Sequence, residues 1–437
     1  MSWPLLLAAL FGGLAVLMMT GMPVAIAFLV VNLVGFYVFF GGAAGLSQLV
    51  TSIGSSISIF TLVPLALFVM MGELLFHSGV GPEIIRTVDQ WLGRLPGRLS
   101  VLAVAAGTLF ATLTGTSVGS VAMLGSTLIP EMEQRGYKKP MTMGPIMASG
   151  GLAIMIPPSG LAVLIGAIGE ISVGKILVAI IIPGLLLALT YAVYIVSRCW
   201  LQPSLAPAYA VHEVSLREKI VTTASYVLPI GIVIFLVIGV ILLGIATPSE
   251  AAASGVLGTM ILAAYHRRLT WAVLWKSVMS TLEITTMILF IIATATSFGQ
   301  VLALSGATRG LTSLVTGLPV SAFAVVVGMQ LVVLVLGMFM EVVSIMLITL
   351  PIFMPVVRAL GFDPVWFAVV FLINAEVALI SPPFGISLFV MRGVATPGTR
   401  MADVYAAAIP FCLLIVLVMG MVMVFPQVAL WLPSLVS

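Results

Sequence analysis

A run of small hydroxyl-bearing and glycine residues interrupts a long apolar part of the chain. It consists of Thr114, Gly115, Thr116, Ser117 and Ser120. Hydroxyl oxygens, together with backbone carbonyl oxygens that a broken helix leaves free, are suitable ligands for a small cation such as Na+. A Ser/Thr cluster by itself more often helps helices pack against one another. The run is therefore a candidate ion site that needs support from a second feature.

Acidic and amide residues form a second candidate site in another apolar region. Its members are Gly337, Glu341, Ser344, Asn374, Ala375 and Glu376. An ionisable side chain inside a membrane is costly, so it is a functional candidate by default. Glu341 and Glu376 could each carry a proton or support an ion ligand. The alternative for Glu376 is a structural salt link or a hydrogen bond within the helix bundle.

Each of these clusters is followed by a double proline. The segment Ile156–Gly160 (IPPSG) is matched 225 positions later by Ser381–Gly385 (SPPFG). A double proline removes helix hydrogen-bond donors and clashes with the preceding turn, so each pair predicts a broken helix. Ser149 and Asn374 lie eight positions before their respective pairs. Matched breaks in two halves of a chain indicate a transporter with its site at mid-membrane. The candidate residues at and before the breaks are Ser149, Gly150, Pro157, Pro158, Ser159, Ser381, Pro382 and Pro383.

The composition is that of an integral membrane protein. Hydrophobic residues make up 62% of the 437 residues and charged residues 7%, whereas a soluble domain carries about 25% charge. We identify no signal peptide, no nucleotide-binding loop and no nucleophile motif, and we expect no enzymatic activity. The two cysteines, Cys199 and Cys412, have no metal-ligand spacing. The net charge of +3 says nothing about nucleic acid, because the basic residues lie in the loops between spans. We expect the lipid bilayer as a partner, and no nucleic acid.

The apolar segments predict an all-α polytopic protein. We predict spans at about 4–19, 22–41, 58–77, 140–169, 173–198, 224–245, 249–265, 280–304, 364–394 and 405–431. Two polar-tipped regions, 98–135 and 319–360, have arms shorter than the roughly 20 residues that a span needs, and we predict that they are re-entrant hairpins. Short segments at about 46–57 and 270–282 precede the two repeats, and the second could be an interfacial amphipathic helix.

The basic residues predict the orientation. If the N-terminus is periplasmic and each hairpin returns to its own side, only Lys175, Arg309 and Arg358 of the 17 Lys and Arg residues lie outside. The first hairpin then opens inward and the second outward, so the repeat is inverted. The predicted division is 1–57 for scaffold helices and an arm segment, 58–170 for the first half of a transport domain, 171–282 for scaffold helices and a second arm segment, 283–395 for the second half, and 396–437 for a C-terminal helix.

Five motifs in this order resemble the large membrane (M) subunit of tripartite ATP-independent periplasmic (TRAP) transporters. They are Leu128–Tyr137, Ile156–Ser159, Pro183–Gly184, Gly244–Ala253 and Ser381–Gly385. The resemblance covers nearly the whole chain. It implies an elevator-type secondary transporter in the bacterial inner membrane, driven by Na+ and free of other cofactors. It also implies two partners, a small four-helix membrane (Q) subunit and a periplasmic substrate-binding (P) protein that delivers an organic carboxylate.

The family's sodium sites lie at the hairpin tips and at the breaks. Carried over to this chain, they correspond to a first set at Thr116, Ser117, Ser149 and Gly150 and a second set at Glu341, Ser344, Asn374 and Ala375. The leading hypothesis is sodium-coupled import of a dicarboxylate, sugar acid or keto acid. The alternatives are a stand-alone sodium- or proton-coupled dicarboxylate symporter that needs no binding protein, and a passive channel.

Overall fold

A computed structural model describes residues 3–114, 117–209, 214–317 and 319–435, with the side chains of 61 and 111–114 left out of the description. Throughout these ranges the regular elements are helices, which confirms the predicted all-α class. The first seven are α1 (Trp3–Met19), α2 (Val24–Phe39), α3 (Ala43–Ile57), α4 (Val63–Ser78), α5 (Gly81–Trp91), α6 (Arg98–Thr114) and α7 (Ser117–Gln134).

The middle of the chain contains the first break and a helix with π-helical turns. Its helices are α8 (Lys139–Gly151), α9 (Gly160–Gly169), α10 (Val173–Ala179), α11 (Ile181–Leu201), α12 (Leu216–Thr222), α13 (Leu228–Ile234), α14 (Val240–Leu242) and α15 (Pro248–Tyr265). Two π-helical turns, Thr223–Val227 and Phe235–Gly239, connect α12 to α14 into one long segment.

The last third contains the second break. Its helices are α16 (Trp271–Leu304), α17 (Ala307–Thr316), α18 (Ala322–Gly337), α19 (Val342–Ala359), α20 (Pro364–Ile380), α21 (Ile386–Val394), α22 (Met401–Val424) and α23 (Gln427–Ser434).

The duplication expected from the sequence is present in the helix order. A helix pair, a broken helix and a long helix follow one another as α6 to α11 and again as α18 to α22. The broken helices begin 225 residues apart, at Lys139 and Pro364. The bends before the two hairpins also match, because Gly79 and Gly306 both have positive φ, +65° and +74°, a region that glycine enters without steric cost.

The helices pack into two groups. One contains α1 to α4 and α12 to α16, and the other contains both hairpins, both broken helices, α10, α11, α22 and α23. The predicted division of the chain, which placed α10 and α11 with the scaffold and α4 with the transport domain, stays a prediction. Glycines permit close approach within the second group: Gly184 of α11 contacts the Met155 carbonyl in the first break, and a Cβ atom on Gly144 of α8 would lie 2.5 Å from the Phe411 ring of α22.

Fewer helices reach spanning length than the ten predicted spans. Five described stretches are long and apolar enough: Val173–Leu201, Leu216–Leu242, Trp271–Leu304, Val342–Ala359 and Met401–Val424. The pair α4 and α5, bent by 81°, would make a sixth. The stretch Val342–Ala359 is α19, which the sequence assigned to a re-entrant hairpin.

Two predicted boundaries are wrong. The interfacial segment 270–282 is not a separate helix, because it continues into the next span as the 34-residue α16. The last span ends at Val424 and not near 431, because the chain turns at Phe425–Pro426 before α23. Charged and aromatic side chains at 271–282 suggested an interface, but they do not interrupt the helical backbone.

Helix α20 is the most enclosed element, since every residue from Val365 to Ile380 is buried. Its first turn is capped by Asp363, whose Oδ1 accepts the backbone N–H groups of Val365 at 2.7 Å and Trp366 at 3.1 Å. The cap satisfies two donors that the helix itself leaves free.

We expect Asp363→Ala to lower the free energy of unfolding by about 1 kcal/mol, because both N–H groups lose their acceptor. Asp363→Asn keeps a capping oxygen and should unfold close to the wild type. Thermal unfolding of the purified protein in detergent measures both. Equal stability of Asp363→Ala and the wild type would contradict a stabilising role for the cap.

Candidate functional site

Both double prolines interrupt a helix, as predicted. Residues 152–159 separate α8 from α9, and residues 381–385 separate α20 from α21. The Pro157–Pro158 and Pro382–Pro383 peptide bonds are both cis. The ends at the breaks are partly capped: Ser159 accepts the Ala162 N–H at 3.3 Å, and the Tyr405 hydroxyl donates to the Pro383 carbonyl at 3.1 Å.

Three consecutive small residues at the end of α8 contact three different elements. A Cβ atom on Gly107 of α6 would lie 2.6 Å from the Ser149 Oγ. One on Gly150 would clash with Val121 of α7 and lie 3.2 Å from the Ser117 carbonyl oxygen. One on Gly151 would lie 2.6 Å from the Glu376 Cγ of α20. The first hairpin and both broken helices therefore meet at Ser149–Gly151.

The structure brings part of the first predicted sodium set together. Gly150 lies against Ser117, and the Ser117 Oγ is 3.4 Å from the Ser387 Oγ of α21. Ser149 is buried, but its hydroxyl donates within its own helix to the Ile146 carbonyl at 3.1 Å. Ser120 is also buried. Gly115 and Thr116 lie outside the described residues, and Thr114 is described only as the last residue of α6.

The residues of the second predicted set make different contacts. Asn374 Nδ2 donates to the backbone carbonyl of Gln330 at 2.7 Å and to its side-chain Oε1 at 3.0 Å. The hydrogen bonds described for Asn374 thus go to the arm α18 and not to the tip residues Glu341 and Ser344. Ser344 is buried at the start of α19, whereas Glu341 is exposed at its N-cap. Ala375 is buried beside Asn374.

The tip of the second hairpin nevertheless lies against the second break. A Cβ atom on Gly337 would lie 2.6 Å from the Cβ of Ala378, three residues before Ser381. The rings of Phe339 and Phe384 are 6.2 Å apart between centroids. The arrangement of hairpin tip beside break is therefore present in both halves.

Several buried polar atoms around the second break lack a hydrogen-bond partner in the described structure. They are Asn374 Oδ1, Glu376 Oε2, Ser381 Oγ and Gln330 Nε2. Burying an unsatisfied polar atom costs free energy, and such atoms often mark a site that a ligand, ion or water completes. Oxygen atoms of amide, hydroxyl and carboxyl groups are hard donors, the type of ligand that a small cation such as Na+ takes. Within the described ranges no group of three or more His, Cys, Asp or Glu residues could hold a metal.

Two residues of this region were not identified from the sequence. Gln330 is polar inside the otherwise apolar α18, and that isolation is a signal that could have identified it. Tyr191 of α11 donates a hydrogen bond to Glu376. A tyrosine in an apolar helix gives no comparable signal, because its ring packs equally well as a structural residue.

Comparison with known proteins agrees with this architecture. A family model described as the DctM component of the tripartite ATP-independent periplasmic transporter matches residues 11–428. The C4-dicarboxylate TRAP transporter large permease protein DctM of Pseudomonas aeruginosa is 33% identical over 378 residues, covering 86% of each chain. The isethionate TRAP transporter permease protein DctMQ of Oleidesulfovibrio alaskensis is 28% identical, and the match covers 89% of this chain and 60% of that protein.

A solved structure shares the fold. The Alcanivorax borkumensis YdaH transporter superposes with a TM-score of 0.65 over 88% of this chain and 89% of its own, at 14% sequence identity. At that identity the likeness concerns the fold alone.

We expect Gly151→Ala to destabilise the protein by about 1–3 kcal/mol, because the new methyl group would overlap the buried Glu376 side chain. Helix propensity alone predicts the opposite sign, since Ala is favoured over Gly in a helix. Gly393→Ala on α21 is the matched control, because its Cβ position has no atom within 4 Å. Thermal unfolding of both variants measures the effect, and a Gly151→Ala protein as stable as Gly393→Ala would show that the two broken helices do not cross closely here.

Proposed function

We propose that this chain, which belongs to the DctM component family of tripartite ATP-independent periplasmic transporters, imports a small organic carboxylate driven by a sodium gradient. Membership of this family makes it a non-enzymatic, multi-pass transport protein of the inner membrane. The observation that best supports the site is the meeting of the first hairpin with both broken helices at Ser149–Gly151.

The chemistry of this meeting point favours a cation. The end of α8 presents carbonyl groups and the negative end of a helix dipole, both of which attract positive charge. Around the second break, Asn374 Oδ1 and Ser381 Oγ are buried oxygens without a described partner. A sodium ion bound in each half would satisfy such atoms and would offset the repulsion between them and a carboxylate substrate.

The names of the relatives indicate a broad class of substrate. One relative is named for C4-dicarboxylates and another for isethionate, a sulfonate. Both are small organic anions, and we propose a carboxylate for this chain. We also propose that a periplasmic binding protein delivers it, that a small four-helix membrane subunit completes the complex, and that the N-terminus is periplasmic.

The two packing groups suggest how transport would occur. The group with the hairpins and broken helices contains the candidate site, whereas α1 to α4 and α12 to α16 form the other group. We propose that the group with the hairpins and broken helices moves as a unit past the other group, as in an elevator. It would carry substrate and sodium together.

Reconstitution of the complex in vesicles tests this function. With the small subunit and binding protein present, an inward sodium gradient should drive uphill accumulation of the carboxylate, and removal of the binding protein should abolish it. Uptake by the large subunit alone would instead identify a stand-alone symporter. Equilibration without accumulation would identify a passive channel.

We expect Ser149→Ala and Asn374→Ala to raise the sodium concentration for half-maximal uptake by roughly ten-fold, because each removes a side-chain oxygen that we assign to an ion site. Ser126→Ala is the matched control: its hydroxyl also donates to a carbonyl three residues earlier, but it is exposed on α7. Unchanged sodium dependence in both site variants would remove these residues from the ion site.

A further inference from the structure

Tyr191 of α11 binds the carboxyl group at the crossing of the two broken helices. Its hydroxyl donates a 2.8 Å hydrogen bond to Glu376 Oε1, and both residues are fully buried. The second oxygen, Glu376 Oε2, has no hydrogen-bond partner in the described structure. The phenol is therefore the hydrogen-bond donor that the described structure provides for this carboxyl.

An aromatic contact helps to hold the ring of Tyr191 in place. Phe411 of α22 contacts it edge to face, with ring centroids 5.6 Å apart. Phe411 in turn lies against Gly144 of α8, where a Cβ atom would come within 2.5 Å of its ring. Because interiors are densely packed, a ring enclosed in this way has little freedom to rotate. The hydroxyl thus has a fixed direction towards Glu376.

The Glu376 side chain connects Tyr191 to the first candidate ion site by direct packing. Glu376 lies directly on Gly151, where its Cγ would be 2.6 Å and its Oε1 2.9 Å from a Cβ atom. The preceding residue, Gly150, faces the Ser117 carbonyl of the first hairpin. A continuous line of contacts therefore runs from Tyr191 through Glu376 to the end of α8.

We propose that Tyr191 is a positioning residue: by fixing the Glu376 side chain against Gly151, it holds the end of α8 in the geometry that binds sodium. The inference rests on the proposed sodium coupling. Without the hydroxyl, both carboxyl oxygens would be buried and unsatisfied, which is unfavourable. The side chain would no longer be held in its contact with Gly151 at the end of α8. The ion ligands there would then lose their arrangement.

The test compares Tyr191→Phe with Tyr194→Phe in the complete complex. Tyr194 is on the same helix and its ring contacts the same Phe411 at 5.4 Å, so this variant removes a hydroxyl from a matched position. We expect Tyr191→Phe to raise the sodium concentration for half-maximal uptake by about two- to ten-fold, the effect of losing one hydrogen bond, while uptake at saturating sodium changes less. Tyr194→Phe should titrate like the wild type.

A binding measurement separates positioning from simple stability. Sodium that binds the folded state raises the unfolding temperature as its concentration increases. The sodium dependence of that rise should move to higher concentration in Tyr191→Phe. If the variant unfolds at lower temperature by the same amount at every sodium concentration, Tyr191 has only a structural role and the inference is overturned.

Variants of Glu376 test the same bond from the other side. Glu376→Gln keeps an acceptor oxygen and should shift the sodium titration less than Glu376→Leu does. In the Glu376→Leu background, Tyr191→Phe should cause no further shift, because the hydroxyl has lost its acceptor. An additional shift there would overturn the inference. A wild-type complex with no sodium dependence would overturn the proposed function itself, whereas sodium dependence identical in the wild type and Tyr191→Phe would overturn the positioning role alone.

Discussion

The two broken helices cross so closely that a glycine on one accommodates a carboxyl side chain of the other, and this contact determines the arrangement around it. Gly151 leaves room for Glu376, and the adjacent Ser149 and Gly150 face the two arms of the first hairpin. Broken helices expose backbone groups that must be satisfied inside the bundle, since lipid offers no hydrogen bonds. Enclosing them between hairpins, α11 and α22 meets that requirement, and it also concentrates the free oxygens in one region.

The two halves satisfy the same requirement with different residues. In the first half, small residues let the hairpin approach the end of α8. In the second half, Asn374 donates a hydrogen bond to Gln330 in the arm of its hairpin, and several buried oxygens have no partner among the described residues. At the second tip Glu341 is exposed, and the residue 225 positions earlier in the sequence is Thr116. The two ion sites that we propose would therefore differ in chemistry and could bind their ions with different affinities.

Local backbone chemistry made much of this predictable from the sequence. Double prolines determine where a helix must break, and glycines with positive φ determine where it bends, so the repeat and its breaks could be located without tertiary information. The partners Gln330 and Tyr191 could not be identified in this way. Their contacts with Asn374 and Glu376 depend on how α18 and α11 pack against α20, which the local sequence does not determine. The grouping of α10 and α11 with the hairpins has the same origin: it depends on close contacts such as Gly184 with the Met155 carbonyl.

Equilibrium binding of radioactive sodium to the purified complex tests the proposed ion site most directly. The arrangement at Ser149–Gly151 and at Asn374 predicts saturable binding that unlabelled Na+ displaces and K+ does not. It also predicts that, at the sodium concentration that half-saturates the wild type, fewer ions are bound per complex when Asn374 is replaced by Ala. Absence of saturable sodium binding, or equal binding in both proteins, would contradict the assignment of these oxygens as ion ligands.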